Sequence, residues 1–324
     1  MKVYNANQLN KEVFMKNNRE KNSKKRKILI SSISIILAVI LVIVAGVYIY
    51  INKALNKVES VEVNTDNIGL NTETKEEFKE IRNIALLGID SIDDDLVGRS
   101  DSIMILTLDN IHNKIKLTSI MRDSYVNIDG YGMDKINHAY AYGGPELALR
   151  TLNENFDLNI SEVMVVNFTS LVNIIDKIGG VNIDITEEEI PHISEITSPG
   201  EQLLNGSQAL AYSRIRYATG GDYKRTERQR TVINAIFNKL KDTPLTKYPE
   251  LVNEFLPYVK TNISSNDLLS LGKEFSGLAM KGLEQDRFPR DEQGVGQMIN
   301  GVYYLTFDLE EVKNSIRDYI FNDK

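Results

Sequence analysis

The chain has 324 residues, 42% hydrophobic and 26% charged, with only 7 Pro and 20 Gly, which is typical of a globular protein and excludes a disordered or fibrous one. It contains no Cys and three His, which excludes a disulfide framework, a thiolate nucleophile, an iron–sulfur cluster and a Cys-ligated zinc site. The net charge of −7 is unevenly divided, because residues 1–27 carry +7 and residues 51–324 carry −14.

The first predicted element is a single membrane-spanning helix over residues 28–50, ILISSISIILAVILVIVAGVYIY. This segment has no charged side chain and would extend about 35 Å as a helix, enough to cross a bilayer core of roughly 30 Å. Basic residues directly precede it and an acidic stretch follows, so the positive-inside rule predicts a cytoplasmic tail at 1–27 and an extracytoplasmic C-terminal part. The apolar stretch of a cleaved signal peptide is normally shorter, so cleavage is disfavoured. A buried core helix is the other alternative and is also disfavoured.

Beyond the membrane helix, residues 51–80 are predicted to form a polar stalk and residues 81–324 a single extracytoplasmic domain. Apolar runs alternate there with helical patterns, which predicts an α/β fold with α/β/α layers. The predicted strands are 81–90, 102–110, 114–122, 162–168, 181–185 and 302–307; the predicted helices are 145–156, 169–180, 222–241 and 308–321, and residues 247–280 are predicted to be mostly helical.

A basic island interrupts this acidic domain, with six Lys or Arg against two acidic residues at 214–230. In an extended segment Arg214 and Arg216 point to the same side, and Arg225, Arg228 and Gln229 share one face of the helix that follows. Guanidinium groups bind phosphate in a bidentate manner, so the island predicts a site for a polyanion. The alternative is a solvated helix end that pairs with surface carboxylates.

Acidic residues accompany arginines at the ends of the predicted strands. Asp90 ends the first strand, Arg122 ends the third, and Arg99 and Asp101 lie two apart, on one face of an extended segment. Carboxylates among arginines suggest Mg²⁺ shared between Asp90, Asp101 and phosphate oxygens. The alternative for each Asp is a loop cap or a partner for a nearby Arg.

Seven ordered motifs in the part of the domain from 85 to 230 resemble the LytR–CpsA–Psr (LCP) family of Gram-positive cell-envelope proteins. They are ALLGID (85–90), GRSDSIMI (98–105), SIMRD (119–123), KINHAYAYGG (135–144), VNFTSLVNIIDKIGGV (166–181), LNGSQALAYSRIR (204–216) and DYKRTERQR (222–230). The basic tail and single membrane helix before the domain are also similar to the family's layout.

The resemblance implies a Mg²⁺-dependent phosphotransferase of cell-wall biogenesis. Such proteins move a glycopolymer, such as wall teichoic acid or capsular polysaccharide, from undecaprenyl pyrophosphate to a muramic-acid hydroxyl of peptidoglycan, through a phosphodiester. Their partners are the lipid-linked polymer, peptidoglycan and the membrane, and nucleic acid is not among them.

The resemblance also implies roles for residues that match the family motifs. It places Asp90 and Asp101 at the metal, with one of them as general base, and makes Arg99 and Arg122 catalytic. The implied pyrophosphate-binding residues are Arg99, Arg122, Arg214, Arg216, Arg225, Arg228 and Gln229. Two alternatives remain open: a polyprenyl-pyrophosphate hydrolase, in which water replaces the sugar hydroxyl, and a non-catalytic envelope regulator that binds lipid-linked polymer.

Overall fold

A seven-stranded mixed β-sheet forms the centre of the computed structural model, which describes residues 59–91, 96–216, 221–241 and 254–324, with the single residues 244, 247 and 250. The strands of the described residues are β1 (Glu59–Ser60), β2 (Ile81–Ile89), β3 (Ser100–Asp109), β4 (Lys114–Ile120), β5 (Tyr125–Ile128), β6 (Gly132–Lys135), β7 (Glu162–Asn167), β8 (Val181–Ile185), β9 (Gly200–Leu204), β10 (Lys260–Thr261), β11 (Leu283–Phe288), β12 (Gly294–Ile299) and β13 (Val302–Phe307). The order in the seven-stranded sheet is β1-β10-β7-β2-β3-β4-β11.

The helices of the described residues lie between and beside these strands. They are α1 (Thr72–Glu77), α2 (His138–Phe156), α3 (Phe168–Lys177), α4 (Gly206–Ser213), α5 (Gly221–Lys241), α6 (Ser265–Leu278) and α7 (Leu309–Phe321). Short 3-10 turns occur at Thr65–Asn67, Ile190–His192, Leu256–Tyr258 and Ala279–Lys281. None of these helices is long and apolar enough to span a bilayer, and the predicted tail (1–27) and membrane helix (28–50) lie outside the described residues.

Strand directions bring several strand ends to one edge of the sheet. β2 pairs with β7 in parallel, β3 runs antiparallel to both β2 and β4, and β4 pairs with β11 in parallel. The carboxyl ends of β2, β4 and β7 therefore meet the amino end of β3 at this edge. Side chains that follow those strands can converge there, as the sequence predicts for Asp90 and Arg122.

The main hydrophobic core lies on one face of the sheet, where alternate strand residues pack against α2 and α7. Leu87, Ile103 and Val163 contribute from the strands, with Leu152 from α2 and Ile316 from α7. The alternation follows from the period of two in a strand, and the repeat of Val312, Ile316 and Ile320 from the helical period. Helices α3, α5 and α6 cover the other face, so the domain is mixed α/β as predicted.

Residues 254–280 depart in part from the helical prediction. The second half forms α6, but Lys260 and Thr261 form β10, which pairs with both β7 and β1. The Thr261 hydroxyl donates to the Val163 carbonyl at 2.6 Å. This pairing partner is distant in sequence, so local periodicity could not reveal it.

Candidate active site

A β-bulge determines where the Asp101 side chain points. Gly88 pairs with Ser102 while Ile89 pairs with Ser100, so Asp101 is an extra residue on β3 with no partner on β2. A bulge interrupts the alternation of a strand. As a result Asp101 and its neighbour Ser102 both line a cavity beside the sheet.

The same bulge holds Asp90 close to Asp101 along the backbone. The Arg99 carbonyl accepts hydrogen bonds from the N–H groups of both Asp90 and Asp101, each at 3.0 Å. The Asp90 side chain is exposed and also lines the cavity. Arg99, predicted to share a face with Asp101, is exposed and does not line the cavity.

Asp101 is held by groups from three parts of the chain. Its Oδ2 accepts a hydrogen bond from Nη1 of Arg122, and Nη2 of Arg216 lies 3.7 Å from the same oxygen. Its Oδ1 accepts from Nδ2 of Asn137 at 3.0 Å. Arg122 also reaches Oδ1 of Asp222 at 3.4 Å. Arg122 and Arg216, distant in sequence, therefore converge on one carboxylate.

Arg225, in the first turn and a half of α5, is a buried cation with an incomplete set of partners. Only 3% of the residue is exposed. Its Nη2 donates to Asp222 at 3.1 Å, but its Nε is buried and meets no acceptor among the described residues. Burial lowers the pKa of Arg225, Asp222 opposes this, and the charges of Arg122 and Arg216 lower it further. An anion bound at this point would relieve that repulsion.

Arg214 and Arg216 extend the cluster from the end of α4. A capping box between Asn205 and Gln208 starts this helix, which ends at Ser213. The Arg214 guanidinium stacks on the Phe168 ring at 4.4 Å. Both arginines are exposed and both line the cavity, so their guanidinium groups are available to a ligand.

The cavity has a volume of about 370 Å³ and runs between the sheet and the helices of the second face. Its walls are formed mainly by apolar side chains of β2, β3, β7, α3, α5 and α6, and by Phe255 before the 3-10 turn at Leu256–Tyr258. Those from the strands and helices are Leu86, Met104, Leu106, Met164, Val166, Leu171, Ile174, Ile233, Ile236, Leu240 and Phe275. Its polar lining residues include Asp90, Asp101, Arg214, Arg216, Arg225 and Gln229. One cavity thus joins an apolar channel to a charged mouth.

The helix-face prediction for α5 holds for Gln229 but not for Arg228. Gln229 lines the cavity with Arg225. Arg228 is 6% exposed and does not line the cavity; its Nε donates to Oε1 of Glu189 at 2.6 Å and its Nη1 to the Ile215 carbonyl at 3.4 Å. The physical reason is the buried carboxylate of Glu189, distant in sequence, which binds the guanidinium away from the cavity.

Two contributors were not among the predicted site residues. Asp222 links Arg122 to Arg225. Asn137 occupies the N-cap position of α2, yet its side chain makes no capping hydrogen bond and instead binds Asp101. An Asn before a helix predicts a cap, so only its place in the KINHAYAYGG motif could have indicated another role.

The chain matches a known family along most of its length. The LytR_cpsA_psr family matches residues 45–318. The polyisoprenyl-teichoic acid–peptidoglycan teichoic acid transferase TagU of Enterococcus faecalis is 34% identical over 300 residues, which cover 90% of this chain and 95% of that protein.

Solved structures show the same fold. TagT bound to LIIa-WTA aligns with a TM-score of 0.62 at 31% identity, over 75% of this chain and 91% of that one. A LytR-CPS2A-psr family protein, YwtF (TagT), with bound octaprenyl pyrophosphate lipid aligns with a TM-score of 0.59 at 29% identity, over the same shares of the two chains.

Proposed function

The chain belongs to the LytR_cpsA_psr family, and from that membership we propose that it transfers a glycopolymer from a polyprenyl-pyrophosphate carrier to peptidoglycan. The carrier we propose is undecaprenyl pyrophosphate, the polymer a wall teichoic acid, a capsular polysaccharide or a similar chain, and the acceptor a muramic-acid hydroxyl. The observation that carries the proposal is the single cavity that joins an apolar channel to a mouth lined by arginines and carboxylates.

The apolar walls suit a prenyl chain. Side chains such as Leu171, Ile236 and Phe275 approach the cavity from three helices and remove a hydrocarbon ligand from water. One relative carries an octaprenyl pyrophosphate lipid, which supports this assignment. The lipid tail would lie in the channel and its pyrophosphate at the mouth.

The cations at the mouth suit a pyrophosphate. Arg214 and Arg216 are exposed toward the cavity, while Arg225 is buried with its Nε unpaired among the described residues. Guanidinium groups form charge-assisted, bidentate hydrogen bonds with phosphate oxygens. Several such groups around one polyanion also stabilise the charge that spreads over its oxygens in the transition state.

In the proposed reaction the acceptor hydroxyl oxygen forms a bond to the phosphorus that carries the polymer, and the bond from that phosphorus to the bridging oxygen breaks. Prenyl phosphate leaves with the bonding electrons, and the hydroxyl proton passes to a carboxylate. Both Asp101 oxygens accept hydrogen bonds, from Arg122 and Asn137. We therefore assign the proton to Asp90, and to Asp101 the positioning of Arg122.

The oxygen donors at the mouth are compatible with Mg²⁺. Among the described residues no group of three or more His, Cys, Asp or Glu side chains could hold a metal ion, so the chain would offer at most Asp90 and Asp101. Mg²⁺ is commonly held by one or two carboxylates with phosphate oxygens and water. When bound, it would neutralise charge on the pyrophosphate.

The proposed location is the outer face of the cell membrane, with the helix at 28–50 as a single-pass anchor and the tail at 1–27 in the cytoplasm. The charge distribution of the sequence supports this orientation. A lipid-linked donor lies at the same surface, so anchoring the domain there raises the effective concentration of enzyme and substrate.

A reconstituted transfer assay tests the function. The full chain in detergent is mixed with a short-chain prenyl-pyrophosphate disaccharide and uncross-linked peptidoglycan, with Mg²⁺ or with EDTA. We expect a Mg²⁺-dependent glycan adduct, lost in Arg216→Ala and retained in Arg150→Ala, whose Arg pairs with Asp129 and Glu154. Prenyl phosphate release without an adduct would indicate a hydrolase, and tight binding without turnover would indicate a regulator.

A further inference from the structure

Two exposed tyrosines form an aromatic surface outside the cavity. Tyr131, in the turn between β5 and β6, is 56% exposed, and Tyr142 on α2 is 40% exposed. Their ring centroids are 4.3 Å apart with planes inclined by 14°, and the Tyr131 hydroxyl donates to the Tyr142 carbonyl at 3.4 Å. Exposed aromatic rings held in one orientation are typical of a binding surface.

A carboxylate anchors this surface. Oδ2 of Asp134 accepts a hydrogen bond from the Tyr142 hydroxyl at 2.7 Å and lies 2.9 Å from Nδ1 of His138, while Oδ1 accepts from the Tyr304 hydroxyl at 3.4 Å. Burial raises the pKa of Asp134, but the hydrogen bonds with His138 and Tyr142 outweigh it and hold that pKa below its ordinary value. The same hydrogen bond raises the pKa of Tyr142 to about 12. The ring is therefore fixed beside an ionised carboxylate.

The backbone connects this surface to the reacting groups. His138 directly follows Asn137, whose side chain binds Asp101, and the positive charge of Arg99 lies near enough to influence the Tyr142 hydroxyl. Neither tyrosine lines the apolar cavity. The surface is thus linked through the backbone to the residue that binds Asp101, and it is not part of the lipid channel.

We propose that Tyr131, Tyr142, Asp134 and Arg99 form the binding site for the glycan strand of the acceptor. The inference rests on the proposed function and specifies its acceptor side. In a displacement at phosphorus the attacking and leaving oxygens lie roughly in line. Because the proposed prenyl phosphate leaves on the cavity side, the acceptor must approach from a surface outside the cavity, and the tyrosine pair is such a surface.

The chemistry of the surface suits a sugar ring. One face of a pyranose carries C–H groups with slight positive charge, which pack on the negative face of an aromatic ring. The hydroxyl and amide groups at the sugar edge need polar partners. Asp134 and His138 contact Tyr142, and the charge of Arg99 is near enough to act on the Tyr142 hydroxyl. A lipid would not use the ionised carboxylate.

Steady-state kinetics test the proposal in the full chain. In Tyr131→Ala and Tyr142→Ala we expect the acceptor KM to rise about tenfold, with the donor KM and the kcat at saturating acceptor unchanged. Tyr142→Phe keeps the ring and should resemble the unsubstituted chain more closely. Ile111→Ala, which removes a side chain of similar exposure elsewhere (46%), is the control. A rise in donor KM, or an unchanged acceptor KM, overturns the proposal.

Direct binding separates this proposal from the function on which it rests. Uncross-linked glycan strands of defined length are titrated into the full chain by calorimetry without donor. Strand binding that is lost in Tyr142→Ala supports the surface even if no transfer occurs, in which case the proposed function alone fails. Normal transfer and strand binding in both Ala variants would reject the surface and leave the function standing.

Discussion

Replacing Arg225 or Arg228 by Met is expected to separate ligand binding from stability on a single helix. Arg225 pairs with Asp222, whose side chain is 28% exposed. When Arg225 is removed, Asp222 keeps Arg122 as a partner at 3.4 Å, so no buried charge is left unpaired. The Arg225→Met change also removes a buried Nε without a described partner. We expect the free energy of unfolding to change by no more than about 1 kcal/mol.

Arg228→Met should behave in the opposite way. Its partner Glu189 has a side chain that is only 6% exposed, and the two atoms lie 2.6 Å apart. Removing the guanidinium leaves a buried carboxylate without its cation, which costs about 3–5 kcal/mol. Because Arg228 does not line the cavity, the protein that remains folded should bind ligand normally.

The effect on binding follows from the place of Arg225 beside Arg122 and Arg216. A charge-assisted hydrogen bond contributes about 1.5–3 kcal/mol, so Arg225→Met should raise the Kd for a prenyl pyrophosphate about 10- to 150-fold. Urea unfolding followed by circular dichroism gives the stabilities, and calorimetric titration with farnesyl pyrophosphate gives the affinities. A loss of about 3 kcal/mol or more in Arg225→Met, or an unchanged Kd, would refute this reasoning.

Three further predictions concern acid stability, the channel and the carboxylates. Burial raises the pKa of Asp109, but hydrogen bonds from the His112 backbone and from Lys116 hold it below 3.8. A carboxyl group whose pKa is lower in the folded than in the unfolded protein stabilises the fold only while it is ionised. Asp109→Asn should therefore lower the free energy of unfolding by about 3 kcal/mol at pH 7. In urea unfolding this deficit should shrink as the pH falls below 3.8, and a pH-independent deficit would contradict the assignment. Ile233→Trp should weaken octaprenyl pyrophosphate binding about tenfold in calorimetry by filling the channel, while binding of inorganic pyrophosphate stays unchanged; equal losses for both ligands would argue against a lipid channel. Asp90→Asn should lower the kcat of transfer at saturating donor about 10²- to 10⁴-fold, and full activity would exclude it as the proton acceptor.

Much of the sheet and two of the site helices could be predicted from local patterns. The apolar runs that became β2, β3, β4 and β7 have strand period or strand length, and the helices α3 and α5 lie within a few residues of their predicted bounds. Asp90 and Arg122 were predicted to end strands, and side chains at the carboxyl edge of an α/β sheet commonly line its cleft. Arg122, Arg216 and Asp101 do converge there.

Local patterns failed where the outcome depends on a distant partner. Strand β10 is two residues long and exists because it pairs with β7, and the short edge strand β1 in turn pairs with β10. Strand β11 pairs with β4, more than 160 residues earlier in the chain. No periodicity within such short segments records a pairing partner.

Residue types, charge and motif order determined the chemistry of this protein: a Cys-free α/β domain whose arginines and carboxylates gather at one edge of a sheet. Tertiary structure alone decided which of these side chains share a site. The bulge at Asp101 turns it toward the cavity, and Glu189 draws Arg228 away from the face that Arg225 and Gln229 use. Both outcomes depend on contacts between residues distant in sequence, which local spacing does not encode, because the orientation of a side chain is set by the partner that satisfies its charge.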